Sequence, residues 1–191
     1  MRTTIAFSAM SLFAGFLWGC DIGAEGPSPD MNTITAAERL ADVTLLARFY
    51  EPTLTLWTVT SSDVTPYGTS PLWRYLYADT VQPGPAYWFH ATAAGAVFDS
   101  TAAMGVGMAR ISHSWFDSDS ALRIAEQNGG TQFRNTVPRC TIDASLGEPL
   151  VPDRPVIWWI TYRSVEDEST VLLLGIDAIT GAVKLTYPKV D

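Results

Sequence analysis

Apolar positions along the chain recur first with a helical period and then with a strand period. From Leu40 to Tyr50 they return at steps of three and four residues, which predicts an amphipathic helix. A capping box formed by Thr35 and Glu38 precedes this stripe, and Pro52 follows it as a stop. Beyond the proline, the pattern changes to short runs rich in β-branched and aromatic residues, which predict strands. These runs are 53–60, 72–79, 86–92 and 95–100.

The same order of patterns returns in the second half of the chain. Residues 117–130 begin with Asp and Ser residues that cap helices and end in Gly129-Gly130. This arrangement predicts a helix that stops at a left-handed glycine. Small residues dominate the stretch before it, so 101–116 is predicted to be a connector. The strand-like runs after the helix are 140–146, 156–163, 170–177 and 181–187.

Two predicted turns have nearly the same sequence. Gly95-Ala96-Val97 and Gly181-Ala182-Val183 lie 86 residues apart, and Trp73 and Trp159 each precede their glycine by 22 residues. This period is much longer than that of solenoid repeats, so we interpret it as duplication of a small domain. Each glycine is expected to provide the positive-φ turn that brings the last strand back. The predicted fold class is therefore α+β.

The second half also ends in a recognisable motif. Its aromatic strand contains Trp158, Trp159 and Tyr162, and its last turn reads Asp-Ala-Ile-Thr-Gly-Ala-Val at 177–183. Over residues 117–187 the chain resembles the PepSY domain, which typically ends in a Trp-rich strand followed by Asp-Ala-x-Thr-Gly-x-Val. The resemblance implies a cystatin-like unit, a helix packed on a twisted antiparallel sheet. It also implies a protein that inhibits or chaperones peptidases and carries no catalytic residues.

The first half shares the order of elements and the Gly-Ala-Val turn, but Ala91 and Ala94 replace the Asp and Thr of the motif. We therefore predict a divergent PepSY-like unit at 34–100, the connector at 101–116 and a second unit at 117–191. Each unit is expected to be cystatin-like.

An export signal is predicted at the N-terminus. Arg2 precedes an apolar stretch from Ile5 to Trp18, which is too short to cross a bilayer comfortably. Leu17-Trp18-Gly19-Cys20 resembles the lipobox of bacterial lipoproteins. The resemblance implies that residues 1–19 are removed, and that Cys20 carries diacylglycerol and fatty acyl chains such as palmitate. The protein would then be held in the bacterial cell envelope by lipid.

The segment 20–33 is polar, small and proline-containing, which is typical of a flexible tether. An ordinary cleaved signal and an uncleaved anchor are the alternatives to acylation. Asp21 leaves the choice between inner and outer membrane open. Without acylation, Cys20 could form a disulfide with Cys140 in an oxidising compartment. With acylation, Cys140 is a single thiol that we expect to be a small buried residue.

Composition limits the class of partner. The formal net charge is −8 and the isoelectric point is about 4.6, so binding to nucleic acid or to an anionic lipid surface is not expected. The chain is 47% hydrophobic and 12% aromatic, which favours a packed core over disorder.

The sequence contains no recognisable catalytic or cofactor motif. The two histidines, His90 and His113, are 23 residues apart, which is not a local metal-ligand spacing. Asp-Ser-Asp-Ser at 117–120 lacks the Gly and Glu of a calcium loop, so helix capping explains it better. Gly-Val-Gly at 105–107 lacks the third glycine of a dinucleotide loop. We predict no enzyme activity, no metal and no cofactor.

The candidate binding residues are Trp158, Trp159 and His90. Adjacent residues of a strand face opposite sides, so one of the two tryptophans faces away from the helix. We favour its burial between the two halves over exposure, because large exposed apolar patches are uncommon. The predicted function is binding of an exported protein such as a peptidase. The alternative is a small-ligand or glycan module that uses the outward tryptophan and His90.

Overall fold

The computed structural model describes residues 32–79, 84–103, 108–111, 114–137, 139–149 and 155–189. The predicted signal 1–19, Cys20, most of the tether 20–33 and His113 lie outside the described residues.

One helix and four strands form the first half, as predicted. They are α1 (Leu40–Tyr50), β1 (Leu54–Ser61), β2 (Trp73–Asp79), β3 (Ala86–Thr92) and β4 (Gly95–Ala102). The predicted capping box is only partly formed. The Thr35 N–H donates to Glu38 Oε2 at 3.4 Å, but residues 36–39 make a turn and α1 begins after it. Arg39, at the N-cap position, makes no side-chain cap.

The second half adds one short strand and a longer helical region than predicted. Its elements are β5 (Met108–Ala109), α2 (Ser118–Ala125), a kinked segment (Glu126–Gly130), α3 (Thr131–Thr136), β6 (Cys140–Pro149), β7 (Ile157–Ser164), β8 (Val171–Asp177) and β9 (Val183–Lys189). β5 lies within the predicted connector.

The predicted helix stop at Gly129-Gly130 is confirmed. Asn128 and Gly129 leave helical backbone geometry, with φ of 118° at Gly129, and a second helix, α3, begins at Thr131. The Glu126 carboxylate accepts hydrogen bonds from Thr131 Oγ1 at 2.7 Å and Arg134 Nη2 at 2.6 Å. These bonds hold α3, which was not predicted, against the end of α2.

Eight strands form one continuous sheet in the order β4-β3-β2-β1-β6-β7-β8-β9, and β5 pairs separately with β6. Every pair of neighbours is antiparallel. The two halves meet where β1 pairs with β6, in register from Thr58 with Gly147 to Ser61 with Ala144. The chain is therefore α+β, with a single sheet running through both halves.

The helices lie on one face of this sheet, and the main core is between them. Trp73 on β2 and Trp158 on β7 are both fully buried there, with ring centroids 6.1 Å apart in an edge-to-face contact. The Trp73 indole N–H donates to the Ile34 carbonyl and that of Trp158 donates to the Phe116 carbonyl, each at 2.9 Å. Because both carbonyls lie just before a helix, each tryptophan fixes the entry of its helix onto the sheet.

The start of α2 is bonded directly to the first half. Ser118 Oγ accepts from the Ala36 N–H at 2.9 Å and donates to the Gly68 carbonyl at 2.7 Å. Asp117 Oδ1 caps α2 by accepting from the Ser118 N–H, as predicted for the cap-type residues, and also accepts from the Ala37 N–H. Gly68 has φ of 81° and lies against the backbone of Asp119.

Both turn glycines adopt positive φ as predicted, 142° at Gly95 and 75° at Gly181. The 22-residue spacing, however, matches Trp73 with the wrong tryptophan. Trp73 faces the helices, and so does Trp158, which precedes Gly181 by 23 residues. The second hairpin therefore holds one residue more than the first. Within the part of the chain that is described, no helix is long and apolar enough to cross a membrane.

Candidate binding surface

The sheet face turned away from the helices, called here the outer face, brings two of the predicted binding residues together. His90 and Trp159 lie in the same cross-strand row, four strands apart, which corresponds to about 19 Å at the usual strand spacing. The registered members of this row are Val97, His90, Arg74, Thr60, Ser145, Trp159, Gly175 and Leu185. No helix among the described elements packs on this row.

Trp158 and Trp159 have opposite environments. Trp158 faces the core, where it contacts Trp73 and Trp115 and has no exposed surface, so a ligand on the outer face does not reach it. Trp159 faces outward and is 38% exposed. The expectation that the outward tryptophan is buried between the halves is therefore wrong, and the contact between halves is made by the inward one.

Gly175 explains how the indole of Trp159 is held. A Cβ at this glycine would lie 2.9 Å from Trp159 Cζ3 and 3.3 Å from Cε3. The ring therefore covers the backbone of β8 at a place where no side chain intervenes. Leu185 is the next residue in the row, so the indole leans towards the sheet edge at β9.

An exposed apolar patch follows along this edge, and we call it the β9 patch: Trp159, Leu185 and Tyr187. The exposed fractions are 38%, 42% and 53%. Leu185 and Tyr187 are two residues apart on one strand, so they share a face. Exposed apolar groups that adjoin one another are typical of interaction sites, whereas single ones are ordinary.

β9 is also the last strand of the sheet, and no described strand pairs with its outer side. An edge strand offers backbone N–H and C=O groups to an added strand. Pro188 lacks an N–H and Lys184 lies in a register shift, which restricts the accessible pairing to the residues between them. These interruptions are devices that limit uncontrolled edge pairing.

The other end of the row is charged. Arg74 Nη2 lies 2.6 Å from Asp99 Oδ2, and the Arg74 guanidinium stacks 4.9 Å from the Trp88 ring centroid. His90 Nδ1 is 4.0 Å from Asp99 Oδ1. We call Arg74, Trp88, His90 and Asp99 the β3–β4 cluster. Its side chains mostly bond one another, so fewer of its groups are available to a partner than in the β9 patch.

Among the described residues, the β3–β4 cluster is where a histidine lies beside a carboxylate. His90 has a carboxylate neighbour, but no described Ser or Cys side chain hydrogen bonds to it. Among the described residues, no group of three or more His, Cys, Asp or Glu side chains could hold a metal ion. His113 lies outside the described residues, so the prediction that the two histidines bind no metal is not tested.

A second polar cluster lies on the helix side of the sheet, and its side chains bond one another within the fold. Glu126 accepts from Tyr162 Oη at 2.9 Å as well as from Arg134 and Thr131. Burial alone would raise the pKa of Glu126, but these hydrogen bonds outweigh it and hold the pKa below its ordinary value. Burial, together with the Glu126 charge, raises the pKa of Tyr162. The group ties the kinked helical region to β7.

Cys140 is half-buried at the start of β6 and forms no disulfide in the structure. Burial raises the pKa of its thiol, which lowers the thiolate fraction at neutral pH. Its alternative partner Cys20 lies outside the described residues.

No family model, curated protein or solved structure significantly matches the chain. The resemblances to the PepSY domain and to the lipobox therefore stay predictions, and the surface itself carries the functional argument.

Sequence reasoning missed Leu185, Tyr187 and Gly175 as members of the surface. The signal was present in the alternation of large residues along 183–187, which places Leu185 and Tyr187 on one face. It could not be used because the sequence does not say which strand forms the sheet edge.

Proposed function

We propose that this chain is a non-catalytic lipoprotein of the bacterial cell envelope that binds an exported protein at β9. The observation that carries the proposal is the β9 patch beside an unpaired strand edge. An extended segment of the partner would add a strand to β9 and place alternate apolar side chains against Trp159, Leu185 and Tyr187. Backbone hydrogen bonds would supply affinity and the patch would supply specificity.

The proposal includes two PepSY-like, cystatin-like units. Its support is the repeated order of a helix and four antiparallel strands, and the matched hydrogen bonds of Trp73 and Trp158 to carbonyls just before each helix. The units would share one sheet through β1 and β6. By the PepSY resemblance, the partner would be a peptidase that this protein inhibits or regulates.

Attachment to a membrane of the cell envelope is part of the same proposal. The lipobox-like sequence ending at Cys20 would attach the chain to a membrane, with 20–33 as the tether. Two acyl chains give lasting attachment, whereas one gives only marginal binding. Mass spectrometry of the N-terminal peptide tests this part directly, because acylation adds a known mass to Cys20.

Site-specific photocrosslinking in cells tests the binding surface. A photoreactive amino acid at Thr186 on β9 should give a crosslinked adduct with an exported protein. The same amino acid at Ser100, exposed on the opposite edge strand β4, should not. Equal adducts from both edges, or none from Thr186, would contradict the proposal.

Affinity for the crosslinked partner then tests the patch. Leu185→Ser together with Tyr187→Ser should weaken binding by about tenfold or more, because each removes apolar area that the complex would bury. The matched control is Val97→Ser, which changes a residue of 52% exposure on the opposite edge. If the partner is a peptidase, its activity should fall when the wild-type chain is added. The double variant, added at the same concentration, should leave the activity nearly unchanged.

A second function is favoured by one observation. The exposed Trp159 lies in a row with the hydroxyls of Ser145 and Thr60, and with His90 further along. An indole platform beside hydroxyl groups suits a sugar ring, which has an apolar face and polar edges. Titration with envelope glycans should then shift the tryptophan emission, and Trp159→Phe should abolish the shift. Such a result in the absence of any crosslinked protein would favour the glycan function.

A further inference from the structure

Helix α1 is apolar on two opposite sides. Val43 and Ala47 face the core and are fully buried. Leu45 and Phe49 lie two positions further along, which turns them about 200° around the axis, and they are 74% and 88% exposed. Ala41, one turn earlier, is also exposed. We call Ala41, Leu45 and Phe49 the α1 stripe.

Among the described residues, the one ring contact of the stripe is that of Phe49 with Tyr50, the next residue of α1, so the stripe contributes little to the fold. Its two large members have the highest exposed fractions of the large hydrophobic side chains described. A helix that is part of a sheet-covered core needs one apolar face, and its other face is normally polar. A second apolar face therefore indicates a second apolar environment, which the described residues do not provide.

We propose that the α1 stripe lies in the interface of a lipid bilayer and that the protein rests on the membrane through it. The helix follows the lipid anchor closely along the chain, and the inference rests on that anchor of the proposed function. Fourteen residues, 20–33, separate the anchor from the folded region. They span at most about 50 Å when extended, and about 20 Å on average as a flexible chain.

A bilayer at that distance is present at high effective concentration, so a weak apolar contact suffices to hold the helix on it. The α1 stripe has the form of an interfacial helix, which buries one apolar face about 5–10 Å into the boundary between headgroups and acyl chains. Leu and Phe are suited to this environment. The polar residues beside the stripe, Asp42 and Arg48, are exposed and would remain among the headgroups.

The orientation that results is compatible with partner binding. Val43 and Ala47 face the sheet and the stripe points away from it, so the helix side of the sheet would lie towards the membrane. The β9 patch lies on the outer face, on the other side of the sheet, and would face the compartment. The stripe is thus a membrane contact and the β9 patch a partner contact, on opposite sides of the sheet.

Charge selects the type of lipid. The chain without residues 1–19 has a net charge near −9, so an anionic surface repels it and apolar insertion supplies the attraction. Zwitterionic phosphatidylcholine is therefore the appropriate probe. Docking should weaken when phosphatidylglycerol is added, and salt should restore it by screening the repulsion.

Hydroxyl-radical footprinting of the full mature chain tests the inference. Cys20 is coupled to a maleimide lipid in phosphatidylcholine vesicles, in a Cys140→Ala background, so that the chain is held at a bilayer whether or not cells acylate it. Oxidation of Leu45 and Phe49 should fall about fivefold relative to the uncoupled chain, as expected for a buried interfacial face. Leu185 and Tyr187 are internal controls of similar chemistry and should be unchanged.

Each remaining outcome decides a different point. Unchanged oxidation of Leu45 and Phe49 on the vesicle would overturn the inference. Protection that appears without vesicles and rises with protein concentration would assign the stripe to a second copy, which also overturns it. Absence of acyl chains on native Cys20, seen by mass spectrometry, would instead refute the anchor of the proposed function and leave the footprint result standing.

Discussion

The two halves of the sheet have similar inner faces and different outer edges. On the inner side, Trp73 and Trp158 make the same hydrogen bond to a carbonyl just before a helix. On the outer side, the β3–β4 cluster satisfies its charges internally, whereas the β9 patch presents three apolar side chains to solvent. The inner contacts are the ones that hold each helix on its strands, so they tolerate little change. Differences between the halves therefore indicate where function resides.

A second difference lies in how each helix is tied to the sheet. Tyr77 on β2 bonds the hydroxyl of Thr44 in α1 at 2.7 Å, a neutral contact. Burial raises the pKa of Tyr77 to about 12, so it stays protonated at neutral pH. Tyr162 on β7 donates to the Glu126 carboxylate, which also holds Arg134. Only the second half thus depends on an ionised group at this position.

The largest effect is expected at the tryptophan pair. Trp158→Ala should lower the free energy of unfolding by about 4 kcal/mol, because it leaves a cavity between the halves. Trp159→Ala should cost less than about 1 kcal/mol, since the ring is partly exposed. Urea unfolding measures both. Equal losses would mean that the two adjacent positions are not divided into a core side and an outer side.

The next effect concerns the contact between the halves. Gly68→Ala should cost about 3 kcal/mol, because the new Cβ meets the Asp119 backbone at a positive φ. Gly95→Ala is the matched control, since it also has positive φ but nothing within 4 Å of the added carbon. It should cost only about 1 kcal/mol. Similar losses in thermal or urea unfolding would argue against close docking of α2 on the 65–70 loop.

Loss of the Glu126 carboxylate should have an intermediate effect on stability, and this effect should depend on pH. Glu126→Gln should cost about 2 kcal/mol at pH 7, because it weakens charge-assisted bonds to Arg134 and Tyr162. The pKa of Glu126 is lowered by folding, so its contribution is complete above the ordinary value of 4.5 and is lost as pH falls through the lower folded-state value. The difference between variant and wild type should therefore shrink in acid.

Thr44→Val is the control for this prediction, because it removes the neutral hydrogen bond between Thr44 and Tyr77 in the first half. Its cost, about 1 kcal/mol, should not change between pH 7 and pH 3. Stability curves measured at several pH values distinguish the two. A Glu126→Gln penalty that stayed constant into acid would show that the carboxylate charge contributes nothing.

The smallest effect on stability is expected at Gly175. Gly175→Ala places a methyl group 2.9 Å from the Trp159 ring, which is partly exposed and can move away. The cost should stay below about 1 kcal/mol. The emission of Trp159 should shift and partner binding should weaken, because the patch loses its arrangement. Unchanged emission would mean that Gly175 does not set the ring position.

Local signals predicted the elements well, and contacts between elements explain what was missed. Gly95 and Gly181 were recognisable because a tight turn needs positive φ at a fixed position. Gly129-Gly130 carries a similar local signal and does interrupt the helix, but the second helix that follows it, held by the bond from Arg134 to Glu126, was not predicted. The pairing of β1 with β6 joins residues more than eighty positions apart, and no local pattern encodes it. That pairing makes β1 and β6 interior strands and leaves β4 and β9 as the edges of the sheet.

The junction of β1 with β6 has a consequence for how the molecule assembles. If the chain were cut between the halves, β1 and β6 would each become an unpaired edge strand. The two halves would then associate at a rate set by their concentration. Carried on one polypeptide, the same junction closes at any dilution. Folding of the complete sheet therefore does not depend on the protein concentration.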